Sequence, residues 1–88
     1  MRVAILRLRQ PLKRLAGDQG EHRIAAATVG EVLCELERGH PDVRGWVLDE
    51  RGALRRHINV YVNGAPGGED SSVGAEDRID VIPAISGG

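Results

Sequence analysis

With 88 residues and a mass of 9.5 kDa, the chain is long enough for one small domain, and 41% hydrophobic and 28% charged residues are typical of a globular protein. The 2% aromatic content excludes a stacking platform for single-stranded nucleic acid. The one cysteine excludes a disulfide scaffold or a structural zinc site. The longest apolar run has four residues, which excludes a membrane span. The net charge is −1. Because no apolar run is long enough for a membrane span or a signal-peptide core, we expect a cytoplasmic domain, and we expect it to be monomeric when free.

The charge is unevenly distributed along the chain. Residues 1–23 carry six basic and two acidic side chains, whereas residues 24–88 carry six basic and eleven acidic ones. A basic start is compatible with nucleic-acid binding or with a transit peptide. Arg2, Arg7 and Arg9, however, stand within an apolar alternation, which favours the solvated face of a strand.

The first predicted element is a strand over 3–9, because β-branched and leucine residues alternate there with arginine. Pro11 ends this strand. Residues 13–20 are predicted to form a polar hairpin loop punctuated by glycine, and residues 21–26 are predicted to be the returning strand.

The clearest signal in the chain is an amphipathic helix that begins after Thr28. Thr28 and Glu31 have the spacing of a capping box, in which each side chain accepts a hydrogen bond from a free backbone N–H. The apolar residues that follow recur at helical spacing and form one stripe: Val29, Val32, Leu33 and Leu36. Gly39 followed by His40 and Pro41 is predicted to end the helix, since glycine accepts the left-handed conformation and proline cannot continue a helix.

Residues 42–54 have no regular pattern, and the segment Trp46-Val47-Leu48 is predicted to anchor this stretch over the core. A strand is predicted at 58–62 from a clean alternation of apolar and polar positions. The alternation places three residues inward and two outward: Ile58, Val60 and Val62, and then Asn59 and Tyr61.

The last part of the chain is predicted from its turns. Asn63-Gly64 is the strongest two-residue hairpin signal available. Residues 65–74 are rich in glycine and serine, so any strand there is brief and at an edge. Glu76-Asp77 signals another turn, and 79–82 is the last strand, closed by Pro83.

The predicted order of elements is therefore β–β–α–β–(β)–β. The helix lies between a hairpin and the later strands, so it covers one face of a mixed sheet of four to five strands. This arrangement is an α+β roll of the β-grasp, or ubiquitin-like, kind, and its sheet needs only one apolar face. We expect a single domain over 1–83 and a flexible C-terminal Gly-Gly tail over 84–88.

Signals of catalysis and of metal binding are absent from the sequence. The three histidines lack metal-binding spacing, no serine lies in a nucleophile elbow, and the glycine-rich turn at 64–68 lacks the lysine of a phosphate-binding loop. Cys34 falls off the apolar stripe of the helix among acidic neighbours, which disfavour a thiolate. We interpret it as an incidental residue, with a reactive thiol as the alternative, and we expect neither an enzyme nor a metal site.

The remaining feature is the C-terminus. Gly87 and Gly88 have no Cβ, so they form a thread that can enter a narrow cleft and present the terminal carboxylate. Ile85, between Ala84 and Ser86, would hold this thread in register while a partner enzyme acts on it. For the folded body, outward-facing Tyr61 is the first candidate for docking, because tyrosine is enriched at interfaces; a solitary exposed aromatic is the alternative.

Two stretches of the sequence resemble the ubiquitin-like sulfur carriers of the ThiS/MoaD family, and most of all its CysO-like branch. They are Arg-His-Ile-Asn-Val-Tyr-Val-Asn-Gly at 56–64 and Val-Ile-Pro-Ala-Ile-Ser-Gly-Gly at 81–88. The resemblance implies that the Gly88 carboxylate is adenylated with ATP by an E1-like (MoeB/ThiF-type) activating enzyme and is then converted to a thiocarboxylate. Gly87 would provide clearance in that enzyme's cleft.

The resemblance also implies the partners. The thiocarboxylate would donate its sulfur to a sulfur-accepting synthase that makes cysteine, a cofactor or a secondary metabolite. No cofactor is expected to be bound permanently, since ATP belongs to the activating enzyme, and neither nucleic acid nor a membrane is expected as a partner. Two alternatives stay open: a ubiquitin-like modifier joined to lysines through Gly88, and a non-catalytic interaction subunit whose tail is incidental.

Overall fold

The computed structural model describes residues 3–83, which form five strands, two helices and one short 3-10 turn. In chain order these are β1 (Val3–Leu8), α1 (Leu12–Leu15), β2 (Glu21–Ala25), α2 (Val29–Gly39), the 3-10 turn (Pro41–Val43), β3 (Ile58–Val62), β4 (Ala65–Gly67) and β5 (Arg78–Pro83). The strands lie in the order β2-β1-β5-β3-β4, with β1 and β5 parallel and the other neighbours antiparallel. The predicted β-grasp roll is confirmed.

The core lies between one face of this sheet and α2. Alternation along β1 buries Ala4, Leu6 and Leu8 on that face and leaves Arg7 exposed on the other. Leu6 pairs with Ile79 of β5, and both side chains are fully buried. The apolar stripe of α2 contributes Val29, Val32, Leu33 and Leu36 to the same cluster. No helix within residues 3–83 is long and apolar enough to cross a membrane.

Capping at the start of α2 follows the prediction with one shift. The Glu31 N–H donates to Thr28 Oγ1 at 3.2 Å. The Glu31 carboxylate accepts from the Ala27 N–H at 2.9 Å, one residue further out than in the usual capping box. Cys34 is exposed on this helix, as its position off the apolar stripe predicts.

The predicted helix end at Gly39-His40-Pro41 is confirmed, but the left-handed conformation expected of Gly39 is wrong. Gly39 is the last residue of α2 and has no positive φ. The helix ends instead because His40 is extended, with a φ of −136°, before Pro41 begins the 3-10 turn. Steric conflict between a proline ring and the preceding residue disfavours the helical conformation at that residue. Proline, rather than glycine, therefore ends α2.

The segment predicted as a polar hairpin loop contains the one-turn helix α1. Leu12 and Ala16 are fully buried, and Leu15 packs against the core. These three residues have the i, i+3, i+4 spacing of a single helical turn, a signal too short to stand out against the surrounding charges. The stretch between β1 and β2 thus closes one end of the core.

The irregular stretch after α2 is anchored differently from the prediction. Val47 and Leu48 are buried, with 1% and 3% of their surface exposed, and Leu48 pairs with Leu54 across an isolated bridge. Trp46 is 45% exposed, so the prediction that it helps to anchor this stretch is wrong. The side chains of Val47 and Leu48 therefore pack in the core, and the indole of Trp46 lies at the surface.

The predicted turn between β3 and β4 is confirmed and is tied to the next strand. Asn63 and Gly64 have φ values of 51° and 87°, as a type I′ turn requires. The Asn63 side chain accepts from the Arg78 N–H at 2.9 Å and donates to Asp77 Oδ1 at 3.1 Å. The other Asp77 oxygen accepts from the Gly74 N–H at 2.7 Å. One amide and one carboxylate therefore join two turns at the start of β5.

We expect these bonds to make the fold sensitive to acid. The Gly74 N–H and the Asn63 amide hold the pKa of Asp77 below its ordinary value of 3.8, and backbone bonds from Ala53 and Arg51 do the same for Asp49. A folded pKa below the unfolded one gives stability that is present above 3.8 and is lost as pH falls through the folded value.

Urea unfolding at neutral pH and in steps below 3.8 measures this loss. The Asp77→Asn/Asp49→Asn double variant should lose less stability than the wild type over the same acid range. An identical acid dependence in the two proteins would contradict the assignment.

Candidate functional site

The face of the sheet opposite α2 carries a row of side chains that crosses all five strands. Strand register places them in one line, which we call the cross-strand row: Glu21, Arg7, Asp80, Tyr61 and Pro66. Directly opposed residues of neighbouring strands point to the same side of a sheet, so these side chains are neighbours. The row is mixed in charge and has one aromatic ring.

The geometry of the row leaves it adaptable. Arg7 Nε lies 3.8 Å from Asp80 Oδ1, with the Arg7 side chain 52% exposed and that of Asp80 29% exposed. An ion pair this long and this exposed contributes little to stability, so both groups are free to meet a partner. Tyr61, half-buried, stands between Asp80 and Pro66 on the strands to either side.

A shallow depression of about 580 Å³ includes part of this row. The residues around it come from β1, β2, β3 and β5 and from the segments that follow β1 and β3, and they include Arg7, Arg9, Tyr61, Asp80 and Ile82. It combines apolar stems with exposed charges, as protein-binding surfaces do at their rims. The surface therefore suits a protein partner better than a small molecule.

β5 brings the chain to one edge of this surface. It runs parallel to β1 and ends at Pro83, which pairs with Ile58 at the start of β3. Asp80 of the cross-strand row lies three residues before Pro83, which corresponds to about 10 Å along a strand. The predicted tail residues lie outside the described ones: Ala84, Ile85, Ser86, Gly87 and Gly88.

Sequence reasoning found one member of the surface and missed its neighbours. The outward orientation of Tyr61 is confirmed, whereas its role in docking stays a prediction. Arg7 and Asp80 were not singled out beside it. Their pairing depends on the register between the first and last strands, which the predicted topology leaves open.

The described residues offer little to a metal ion. Between residues 3 and 83, no group of three or more His, Cys, Asp or Glu side chains is placed to hold one. The exposed Cys34 borders a separate depression of about 480 Å³ between α2 and β2, together with Glu31, Glu35 and Glu69. That acidic surface lies away from the cross-strand row.

This architecture is that of the ubiquitin-like proteins: a β-grasp roll whose central strand β5 carries the chain to its C-terminal segment. The sequence matches the ThiS family over residues 6–88, and the chain belongs to that family. The resemblance stated from the sequence is confirmed.

Individual relatives include both carriers and modifiers. Small archaeal modifier protein 1 of Haloferax volcanii is 37% identical over 62 residues, which cover 70% of this chain and 71% of the relative. Sulfur carrier protein CysO of Mycobacterium tuberculosis is 28% identical over 83 residues, covering 88% of this chain and 89% of CysO. The crystal structure of the Amycolatopsis orientalis BexX/CysO complex contains a chain with a TM-score of 0.86 and 28% identity, covering 97% of this chain and 99% of that one.

Proposed function

We propose that this chain is a sulfur carrier protein that receives sulfur on the carboxylate of Gly88 and donates it to a biosynthetic enzyme. The observation that carries the proposal is the end of β5. The central strand of the sheet reaches the edge of the depression on the open face at Pro83, and the sequence that follows it is Ala-Ile-Ser-Gly-Gly. Relatives named as sulfur carriers over nearly the whole length support it.

The chemistry needs two steps, both on the activating enzyme. The Gly88 carboxylate attacks the α-phosphorus of ATP, and pyrophosphate leaves, which gives an acyl-adenylate with a good leaving group. Hydrosulfide, or an equivalent sulfur donor, then attacks the acyl carbon. AMP leaves with the bonding electron pair, a proton goes to solvent, and a thiocarboxylate remains.

The folded body explains why the sulfur is carried on a protein. A thiocarboxylate on a recognisable surface reaches its acceptor in a bound, oriented state, which raises its effective concentration far above that of free hydrosulfide. The BexX/CysO complex, in which a similar chain is bound to another protein, supports a second protein partner for this chain, and we propose that this partner is the acceptor enzyme. In this scheme the chain is a cosubstrate, and ATP belongs to the E1-like enzyme.

A ubiquitin-like modifier is the second candidate function, because a small archaeal modifier is 37% identical over 62 residues. The first step is shared. The acyl group then passes from the adenylate to a lysine amine of another protein: AMP leaves, the amine loses a proton, and an isopeptide bond forms where the carrier would gain a thiocarboxylate. Adducts on lysines, found by tryptic mass spectrometry, identify this outcome.

The deciding experiment is the intact mass of the chain after incubation with the E1-like enzyme of the same organism, ATP and a hydrosulfide source. We expect one oxygen to be replaced by sulfur. An unchanged mass would contradict the proposal, provided that ATP–pyrophosphate exchange on another carrier shows the enzyme to be active.

Tyr61 is proposed to dock the body on these enzymes. We expect Tyr61→Ala to weaken binding to the activating enzyme about tenfold, the effect of losing one interface anchor. Cys34→Ala, on the exposed side of α2, is the matched control and should bind as the wild type does. Isothermal titration measures both, and equal affinities for all three proteins would remove Tyr61 from the interface.

A further inference from the structure

Two basic segments flank the point where β5 ends. On one side β1 runs parallel to β5, and Leu8 pairs with Val81. The next residue, Arg9, is therefore level with Ile82, and both line the depression on the open face of the sheet. Arg9 is exposed and comes one residue before the level of Pro83.

The second segment lies on the other side of β5. Pro83 pairs with Ile58, and the three residues immediately before Ile58 are Arg55, Arg56 and His57. All three are exposed. Basic side chains therefore stand on both sides of the strand from which the C-terminal segment departs.

An exposed indole belongs to the same end of the molecule. The Ile58 N–H donates to the Arg55 carbonyl at 3.0 Å, and the Arg55 N–H donates to the Val47 carbonyl at 2.9 Å. These two bonds connect Val47, and Trp46 beside it, to the strand that pairs with Pro83. Trp46 is the only large hydrophobic residue among 3–83 that is exposed, at 45%. We call this set the collar: Arg9, Trp46, Arg55, Arg56 and His57.

The opposite end of the sheet has an excess of acidic side chains. Residues 63–77, which lead from the end of β3 to the start of β5, carry no basic side chain and four acidic ones: Glu69, Asp70, Glu76 and Asp77. The Glu69 carbonyl accepts from the Gly30 N–H, which places this stretch beside the first turn of α2 and its Glu31. Exposed Arg78 follows directly at the start of β5, but acidic side chains still outnumber basic ones over residues 63–78, so the small net charge conceals an uneven distribution.

The collar charges take part in no ion pair among the described residues, although Arg55 also attracts the Asp49 carboxylate through space. In the part of the chain that the structure describes, the ion pairs are Arg7–Asp80 and Arg38–Glu35, and neither includes a collar residue. Arginines at a strand end are often only solvated. Here they accompany an exposed tryptophan, and Trp and Arg are the residue types most enriched among interface hot spots.

We infer that the collar docks against the mouth of a partner's cleft that is rimmed by carboxylates and has an apolar recess for Trp46. The inference rests on the proposed function, since the C-terminal segment must enter such a cleft. An acidic rim attracts the basic end and repels the acidic end, so the body approaches with its C-terminal segment first. The basic residues of the collar therefore orient the approach to the partner, and Trp46 slows dissociation of the complex.

The test uses the E1-like activating enzyme of the same organism and stopped-flow association kinetics. Arg9→Glu/Arg56→Glu should lower the association rate constant about tenfold or more at low salt, and the wild-type rate should fall as salt rises. Arg38→Glu/Arg51→Glu makes the same change in net charge on exposed residues outside the collar and should have little effect. Trp46→Ala should raise the dissociation rate constant about tenfold with little change in association.

The outcomes separate the inference from the proposed function. If the wild type gains sulfur but the collar variant associates as fast as its control, or the wild-type rate is independent of salt, the collar has no role. If the wild type gains no sulfur on an active enzyme, the proposed function itself fails. Circular dichroism verifies folding, and Arg9→Gln/Arg56→Gln is the milder substitute if the double reversal does not fold.

Discussion

A chain that lacks only Gly88 is expected to bind the activating enzyme and yet to form no detectable thiocarboxylate. Removing one residue withdraws the reacting carboxylate by about 3.5 Å, the length of one extended residue. Reacting atoms must come within about 3.5 Å of each other, and a misplacement of about 1 Å can already cost 100-fold in rate. The loss should therefore exceed 100-fold.

Intact mass and pyrophosphate release measure this result together. Ser86→Ala is the control, since it keeps the length and the narrow width of the thread and should react as the wild type does. Equal unfolding midpoints for the three proteins would locate the defect in the chemistry. Full sulfur transfer to the shortened chain would favour an interaction subunit with an incidental terminus.

The second large effect is on stability. Leu6→Ala should lower the free energy of unfolding by about 2–5 kcal/mol, because it removes a fully buried side chain from the central strand pair and leaves a cavity. A domain with about 5–15 kcal/mol in total loses much of its margin. Ile5→Ala, one residue earlier and on the open face of the sheet, should cost only about 1 kcal/mol.

Urea unfolding of the two variants under identical conditions makes this comparison. A small chain has few alternative contacts with which to fill the space left by Leu6, so the difference should be large. Equal losses for the two variants would mean that the two faces of β1 are packed alike, contrary to the burial pattern.

The parts of the fold that the sequence predicted are those with a local physical signal. Thr28 and Glu31 specify the start of α2 through hydrogen bonds within four residues, and Asn63-Gly64 specifies a turn through two positive φ values. The one-turn helix α1 was not predicted, because a single helical turn has almost no hydrophobic periodicity to detect. The exposure of Trp46 was not predicted, because it depends on whether Val47 or the indole packs in the core, and the sequence does not decide between them.

The candidate site likewise has features that the sequence predicts and features that it does not. The terminal glycines were recognised from a contiguous motif. The collar was not, because Arg9 and Arg56 lie far apart in the chain and become neighbours of Pro83 only through the pairing of β5 with β1 and β3. Register of this kind is set by long-range packing, which one sequence read along its length does not display.

The position of β5 has a mechanical consequence. Because β5 is bonded to β1 on one side and to β3 on the other, peeling it from the sheet requires both ladders to break together. The edge strands β2 and β4 each need to lose only one ladder. An enzyme that drew the terminus into its cleft would therefore pull on a strand that is held on both sides, as β1 and β3 also are, and the load would be shared between two ladders.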